Sequence, residues 1–111
     1  MFKELGSMMS LMKNLPKLQA AMQEMQEKIG QVSTEGNAGA GMVIVKMNGR
    51  FEMTDCVIAE EAIKLNDREM LADLILAATN QAMAKAREEV AKLTATMSQD
   101  MGLPMPPGLG L

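Results

Sequence analysis

Met42-Val43-Ile44-Val45-Lys46-Met47-Asn48-Gly49-Arg50-Phe51-Glu52-Met53-Thr54-Asp55-Cys56-Val57-Ile58 is the stretch that decides the fold. Two runs rich in β-branched and apolar residues flank Asn48-Gly49, a pair that tolerates positive φ at both centres of a type I′ turn. The segment therefore predicts a hairpin with strands over 42–47 and 51–58. A two-residue turn sets Met47 opposite Arg50, Lys46 opposite Phe51, Val45 opposite Glu52 and Ile44 opposite Met53. One face then carries Ile44, Phe51, Met53 and Val57, and the other Val43, Val45, Met47, Glu52 and Thr54, with one face buried and the other partly wet. Cys56 falls mid-strand among apolar neighbours, where a buried, inert thiol is expected.

Upstream, residues 33–41 hold Gly36, Gly39 and Gly41 and no aliphatic run, which suits a loop with one short edge strand at its start. These glycines precede a strand instead of joining a strand to a helix, and no Gly-Lys-Ser/Thr follows, so they do not form a phosphate-binding loop. Further back, Met8, Leu11, Leu15, Leu18, Met22, Met25, Ile29 and Val32 recur in alternating steps of three and four, a heptad stripe along one side of a helix. Pro16 removes an intrahelical donor and biases Leu15 away from the helical region. A kink or break is expected at 14–16, with the helix secure from Pro16 to Val32.

Downstream, a short acidic turn over 60–65 leads to Asn66, read as an N-cap with Glu69 as its partner three residues on. Leu71, Leu74, Ile75, Ala78, Ala82, Ala86, Val90, Leu93 and Met97 keep helical spacing, and no Gly or Pro intervenes before Gly102. A helix of that length is about 50 Å long, whereas a compact chain of this size has a radius of gyration of about 13 Å. Part of the helix must protrude as an arm or lie against another subunit. Residues 74–84 carry no charge at all. Burial against the chain's own sheet is one explanation; the reading preferred here is that a second subunit covers part of this run, with Leu74, Ile75, Ala78 and Ala82 as candidate dimer-interface residues.

With 111 residues and a net charge of −3, the chain reads as one soluble domain over 1–101, followed by a flexible Pro/Gly-rich tail over 102–111. There is no His to act as base or metal ligand, and the single Cys56 makes neither an intramolecular disulfide nor a thiolate metal site. No catalytic residue, metal, cofactor or small-molecule substrate is therefore expected. No signal peptide or membrane span is legible, which suggests a cytoplasmic protein. Only two Phe and no Tyr or Trp stand beside fourteen Met, so adaptable thioether side chains must fill whatever core or interface exists.

The bases sort by their helical neighbours. Lys28, Lys64, Lys85 and Lys92 each have a carboxylate three or four residues away, whereas Lys13, Lys17 and Arg87 have none, and Lys13 and Lys17 reinforce each other at i, i+4. Uncompensated positive charge is what a phosphate backbone can use. If the first helix and the distal part of the long helix run side by side, Lys13 and Lys17 come near Arg87 and Lys92. These four are the candidate DNA-binding residues.

A Met-rich amphipathic helix, then Gly39-Ala40-Gly41-Met42-Val43-Ile44-Val45-Lys46-Met47-Asn48-Gly49, then Met70-Leu71-Ala72-Asp73-Leu74-Ile75-Leu76-Ala77-Ala78-Thr79-Asn80-Gln81-Ala82, then Leu103-Pro104-Met105-Pro106-Pro107-Gly108 follow one another along almost the whole chain. In this order they resemble the YbaB/EbfC family of bacterial nucleoid-associated proteins. The resemblance implies an α+β fold: an α-β-β-β-α protomer with a three-stranded antiparallel sheet, its first strand at about Val32 to Asn37, and long protruding helices. It also implies a homodimer layered β/α/β, whose arms grip duplex DNA in the nucleoid and influence nucleoid organisation and gene expression. The alternative is a dimeric adaptor of the recombination or replication machinery, whose Met-rich arms hold a protein and not DNA.

Overall fold

The computed structural model describes residues 2–101; the tail predicted over 102–111 lies outside the described residues. Helix α1 (Phe2–Gln31) leads into strands β1 (Ser33–Ala38), β2 (Val43–Asn48) and β3 (Met53–Ile58), followed by a short helix α2 (Glu60–Lys64) and the long helix α3 (Arg68–Met101). The three strands form one antiparallel sheet in the order β1-β2-β3. This is the expected α-β-β-β-α protomer, with the acidic turn wound into α2.

Four local expectations are corrected. First, α1 runs unbroken through Pro16. The proline lies on an exposed part of the helix, where water can hydrate the carbonyl left without its donor and no packed neighbour resists a small bend. Second, the hairpin does not turn on two residues. The Phe51 N–H bonds the Asn48 carbonyl (3.1 Å), the Asn48 N–H bonds the Glu52 carbonyl (3.0 Å), and Phe51 is the residue at positive φ (62°). The Asn48 carboxamide oxygen accepts the N–H groups of Arg50 (2.9 Å) and Glu52 (3.1 Å), which holds this wider turn. Gly49 serves a close approach and not a positive φ, because a Cβ there would strike the Ile29 carbonyl at the end of α1. With a bulge between Lys46 and Met47, Lys46 pairs with Asp55, Val45 with Cys56 and Ile44 with Val57.

Third, the face carrying Val43, Val45 and Met47 is the buried one, while Val57, paired with Ile44 on the opposite face, is exposed, and Met53, paired with Met47 across the bulge, is exposed too. Cys56 shares the inward face yet is also exposed, since α3 lies over β1 and β2 and leaves the inward side of the edge strand β3 uncovered. Fourth, the cap of α3 is Asp67, whose carboxylate accepts the Met70 N–H (3.1 Å). Asn66 adopts a left-handed conformation (φ 51°) and closes α2 through its N–H to the Ile63 carbonyl.

The core is a helix-on-strand contact made with small residues. Ala78, Ala82 and Ala86 of α3 are wholly buried against Ala38, Val43, Val45 and Met47. Gly36 of β1 sits directly on the α3 backbone, where a Cβ would collide with Ala78 and Ala82. Thr34 donates its hydroxyl to the carbonyl of Ala82 (2.9 Å), with that of Met47 at 3.2 Å. Asn37 donates its N–H to the Gln81 side-chain oxygen, and Lys85 its ammonium to the Glu35 carbonyl (2.8 Å). Four successive residues of β1 are thus fixed to α3 by bonds or by close approach.

Candidate nucleic-acid interface

The sheet ends before α3 does. Beyond Ala86, α3 continues alongside the end of α1, so that Ala21, Glu24, Met25 and Lys28 face Leu93, Thr96 and Met97 across a groove of about 180 Å³. The two helices run antiparallel and form an arm. Its projection explains a long dimension of 73 Å and a radius of gyration of 20.5 Å, far above the value of about 13 Å for a compact chain of this length. The heptad stripe of α1 is only partly used: Leu18, Met25, Ile29 and Val32 are half-buried, whereas Leu15 and Met22 face solvent.

The structure spreads the candidate bases along this arm. Lys92 holds Glu88 (3.8 Å) and Glu89 (3.6 Å), and Lys28 holds Glu24 (3.3 Å). All of these side chains are at least half exposed, so water screens the pairs and each contributes little to stability. Lys13, Lys17 and Arg87 make no ion pair among the described residues; Arg87 only approaches the Met83 sulfur (3.5 Å). Since Lys28 lies across from Leu93, Lys17 stands roughly 18 Å further out than Lys92, and Lys13 about 6 Å beyond that. Lys13 and Lys17 mark the outer arm and Arg87 and Lys92 its root, as a line and not a cluster.

Other bases differ from their sequence assignments. Lys85 reaches the Glu35 carbonyl instead of Glu89, and Lys64 makes no ion pair among the described residues. Arg50 was not singled out by sequence. The hairpin turn brings its guanidinium against Gly30 at the arm root, between Gln26 and Ile29. Nothing local in sequence signals this, because the contact joins two elements through the sheet.

The candidate interface residues also divide. Ala78 and Ala82 are wholly buried against this chain's own β1 and β2, and so have no surface left for a partner; this corrects their assignment. Leu74 and Ile75 are half-buried at the edges of that contact. Leu76, one residue on, is 61% exposed.

A model of the YbaB/EbfC DNA-binding family matches residues 4–101, from the first turn of α1 to the end of α3. The chain belongs to this family. Among similar proteins, a nucleoid-associated protein of Bacillus cytotoxicus is 45% identical over 95% of this chain and 94% of its own length. One from Exiguobacterium sp. is 41% identical over 90% and 95%, and one from Afipia carboxidovorans is 36% identical over 96% and 99%. The crystal structure of an uncharacterized protein from Helicobacter pylori superposes with a TM-score of 0.62 at 26% identity, covering 87% of this chain and 96% of that one. The YbaB/EbfC match spans sheet and arm together, so the extended shape belongs to the matched region as a whole.

Proposed function

We propose that this protein binds duplex DNA as a homodimer in the cytoplasm, on the nucleoid, and thereby influences nucleoid organisation and gene expression, with no catalytic role. The observation that carries the reading is an arm, within a chain of a DNA-binding family, whose bases Lys13, Lys17 and Arg87 are free of carboxylate partners among the described residues. With a net charge of −3 per chain, the protein as a whole does not draw DNA from a distance. Local placement of Lys and Arg must supply the attraction, as phosphate contacts that fix position without reading bases.

Pairing of two copies is supported by the open half of the sheet. The inward side of β3 has no helix above it, and the flank of α3 that overlooks it carries Ile75, Leu76, Thr79 and Met83. An α3 from a second copy fits this trough and, by two-fold symmetry, completes a β/α/β layering. Leu74 lies on the other flank, toward β1, and so stands further from such an interface than Ile75 and Leu76.

Fluorescence anisotropy with labelled duplexes across a salt series tests the reading. Binding should weaken steeply as salt rises. Changing Lys17 and Arg87 together to Ala should lower affinity for all sequences alike and flatten the salt slope by about one to two units, since each lost phosphate contact removes about 0.9. No binding at low ionic strength would refute DNA binding, and partners retained from extracts after nuclease treatment would then favour the adaptor reading.

A further inference from the structure

The hairpin turn delivers a base to the root of the arm and leaves it unpaired there. Gly49 backs onto the Ile29 carbonyl and the Asn48 carboxamide accepts the Arg50 N–H (2.9 Å), so the backbone under Arg50 is fixed to the end of α1. A Cβ built on Gly30 would lie 3.1 Å from the Arg50 Nη2, 3.3 Å from Cζ and 3.6 Å from Nε. Were the guanidinium edge-on, Cζ would stand further off than both nitrogens; since it does not, the plane rests broadside on Gly30. Its N–H groups, which point outward in that plane, make no ion pair and no hydrogen bond among the described residues. The carboxylate two residues on, Glu52, is engaged by the Asn48 side-chain amide (3.2 Å), and Arg50 itself is exposed.

The surface next to it is free of negative charge. Arg50, Gln26 and Ile29 line one hollow, and Gln26 is shared with a second, lined by Gln19, Met22 and Gln23. Gln19, Gln23 and Gln26 fall at i, i+4 and i+7 on one face of α1, a trough of about 17 Å from Gln19 to Gly30. Glu24 is turned to the seam, where Lys28 holds it (3.3 Å), and Glu27 lies about 100° round the helix from Gln26. Uncharged amide donors that lead to a planar cation with open donor edges suit an anion of several oxygens, which such a fork takes bidentately. Phosphate is the anion that a chain of a DNA-binding family meets in a row. At 3.4 Å per nucleotide along one strand, the trough follows about five.

We propose that Arg50, seated on Gly30 with Gln26 beside it, is a binding site for a backbone phosphate of duplex DNA at the root of the arm. The inference rests on the proposed binding of duplex DNA and adds to it a contact about 20 Å from Lys17 along α1, on another side of that helix. Like other phosphate contacts it fixes position without reading bases.

Fluorescence anisotropy with a labelled duplex across a salt series tests it on the full chain and four variants, each checked by helical circular dichroism and by light scattering. Arg50→Ala should weaken binding about tenfold at low salt for all sequences alike and flatten the salt slope by about 0.9 for each copy in contact. Arg50→Lys should recover only part of the loss, because an ammonium keeps the charge without the fork. Gln26→Glu should imitate Arg50→Ala with the guanidinium still present, by setting a carboxylate against it. Lys64→Ala, in α2 beyond the opposite end of β3, changes the net charge equally and should bind as the unaltered chain does. Unchanged affinity and slope in Arg50→Ala, while the unaltered chain binds, would overturn the site and leave DNA binding standing. If Arg50→Ala loses its helical signal, full affinity in Gln26→Glu overturns the site instead. A loss equalled by Lys64→Ala would reduce Arg50 to bulk charge, and a halved mass in Arg50→Ala would make it a contact between copies; either overturns the proposal. No binding by the unaltered chain at low ionic strength removes DNA binding and this site with it.

Discussion

Replacing Gly36 by Ala adds one methyl group at the point where β1 rests on α3. The built Cβ lies 2.7 Å from the Ala82 nitrogen and 2.9 Å from the Ala78 carbonyl carbon, against a usual contact of about 3.5–4.0 Å. Both are backbone atoms, so no side-chain rotation relieves the overlap, and strand and helix must separate by about 1 Å. A gap of that size forfeits about a quarter to a half of the dispersion contacts across it. Val43, Val45 and Met47 are wholly or almost wholly buried at that contact, each contributing about 1.5–3 kcal/mol. The Thr34 bond to Ala82 (2.9 Å), worth about 1 kcal/mol, spans the same gap. The expected loss is about 2–5 kcal/mol, or roughly 10–30 °C in Tm for a domain of this size. Gly41→Ala is the matched control, since its Cβ meets nothing within 4 Å and only its φ of 92° opposes the change, at a cost of about 1–2 kcal/mol. Thermal melts followed at 222 nm compare the two variants. Equal Tm values would refute the claim that β1 and α3 meet backbone to backbone at Gly36.

Ala78→Glu should abolish the fold and not merely separate subunits, because it places a carboxylate between α3 and β1; circular dichroism with light scattering would show unfolding, and a folded monomer would contradict the packing. Leu76→Glu, on the open flank of α3, should leave helix content intact and halve the mass by sedimentation; an unchanged dimer would remove that flank from the interface. Thr34→Val leaves the carbonyls of Met47 and Ala82 without the hydroxyl, and urea unfolding should show a loss of about 1–2 kcal/mol. Asp67→Ala removes the cap of α3 and should cost about 0.5–2 kcal/mol by the same measurement, whereas Asn66→Ala should leave the Met70 amide protected from exchange.

Local patterns determined much of this protein from sequence alone. Spacing of Leu and Met placed both long helices, β-branched runs placed β2 and β3, and the excess length of α3 over any compact body of this size called for an arm or a second subunit. These features depend on neighbours a few residues apart, where periodicity and propensity act directly. The misreadings came where distant segments meet. Gly36, Gly39 and Gly41 look equivalent in a loop-like stretch, yet only contact with α3 reveals that Gly36 lies in a strand against a helix backbone. Asn48-Gly49 carries the signature of a two-residue turn, but the approach of Ile29 and the bonds of the Asn48 side chain selected a wider one and with it another register. Ala78 and Ala82 read equally well as core or interface, because an uncharged helix face records that something covers it and not which surface does. Lys13, Lys17 and Arg87 were identifiable as unmatched from helical spacing, while their separation along the arm depended on how far α1 extends past α3. Pairing, register and the identity of the covering surface are set by contacts between residues far apart in the chain, and these only the tertiary structure decided.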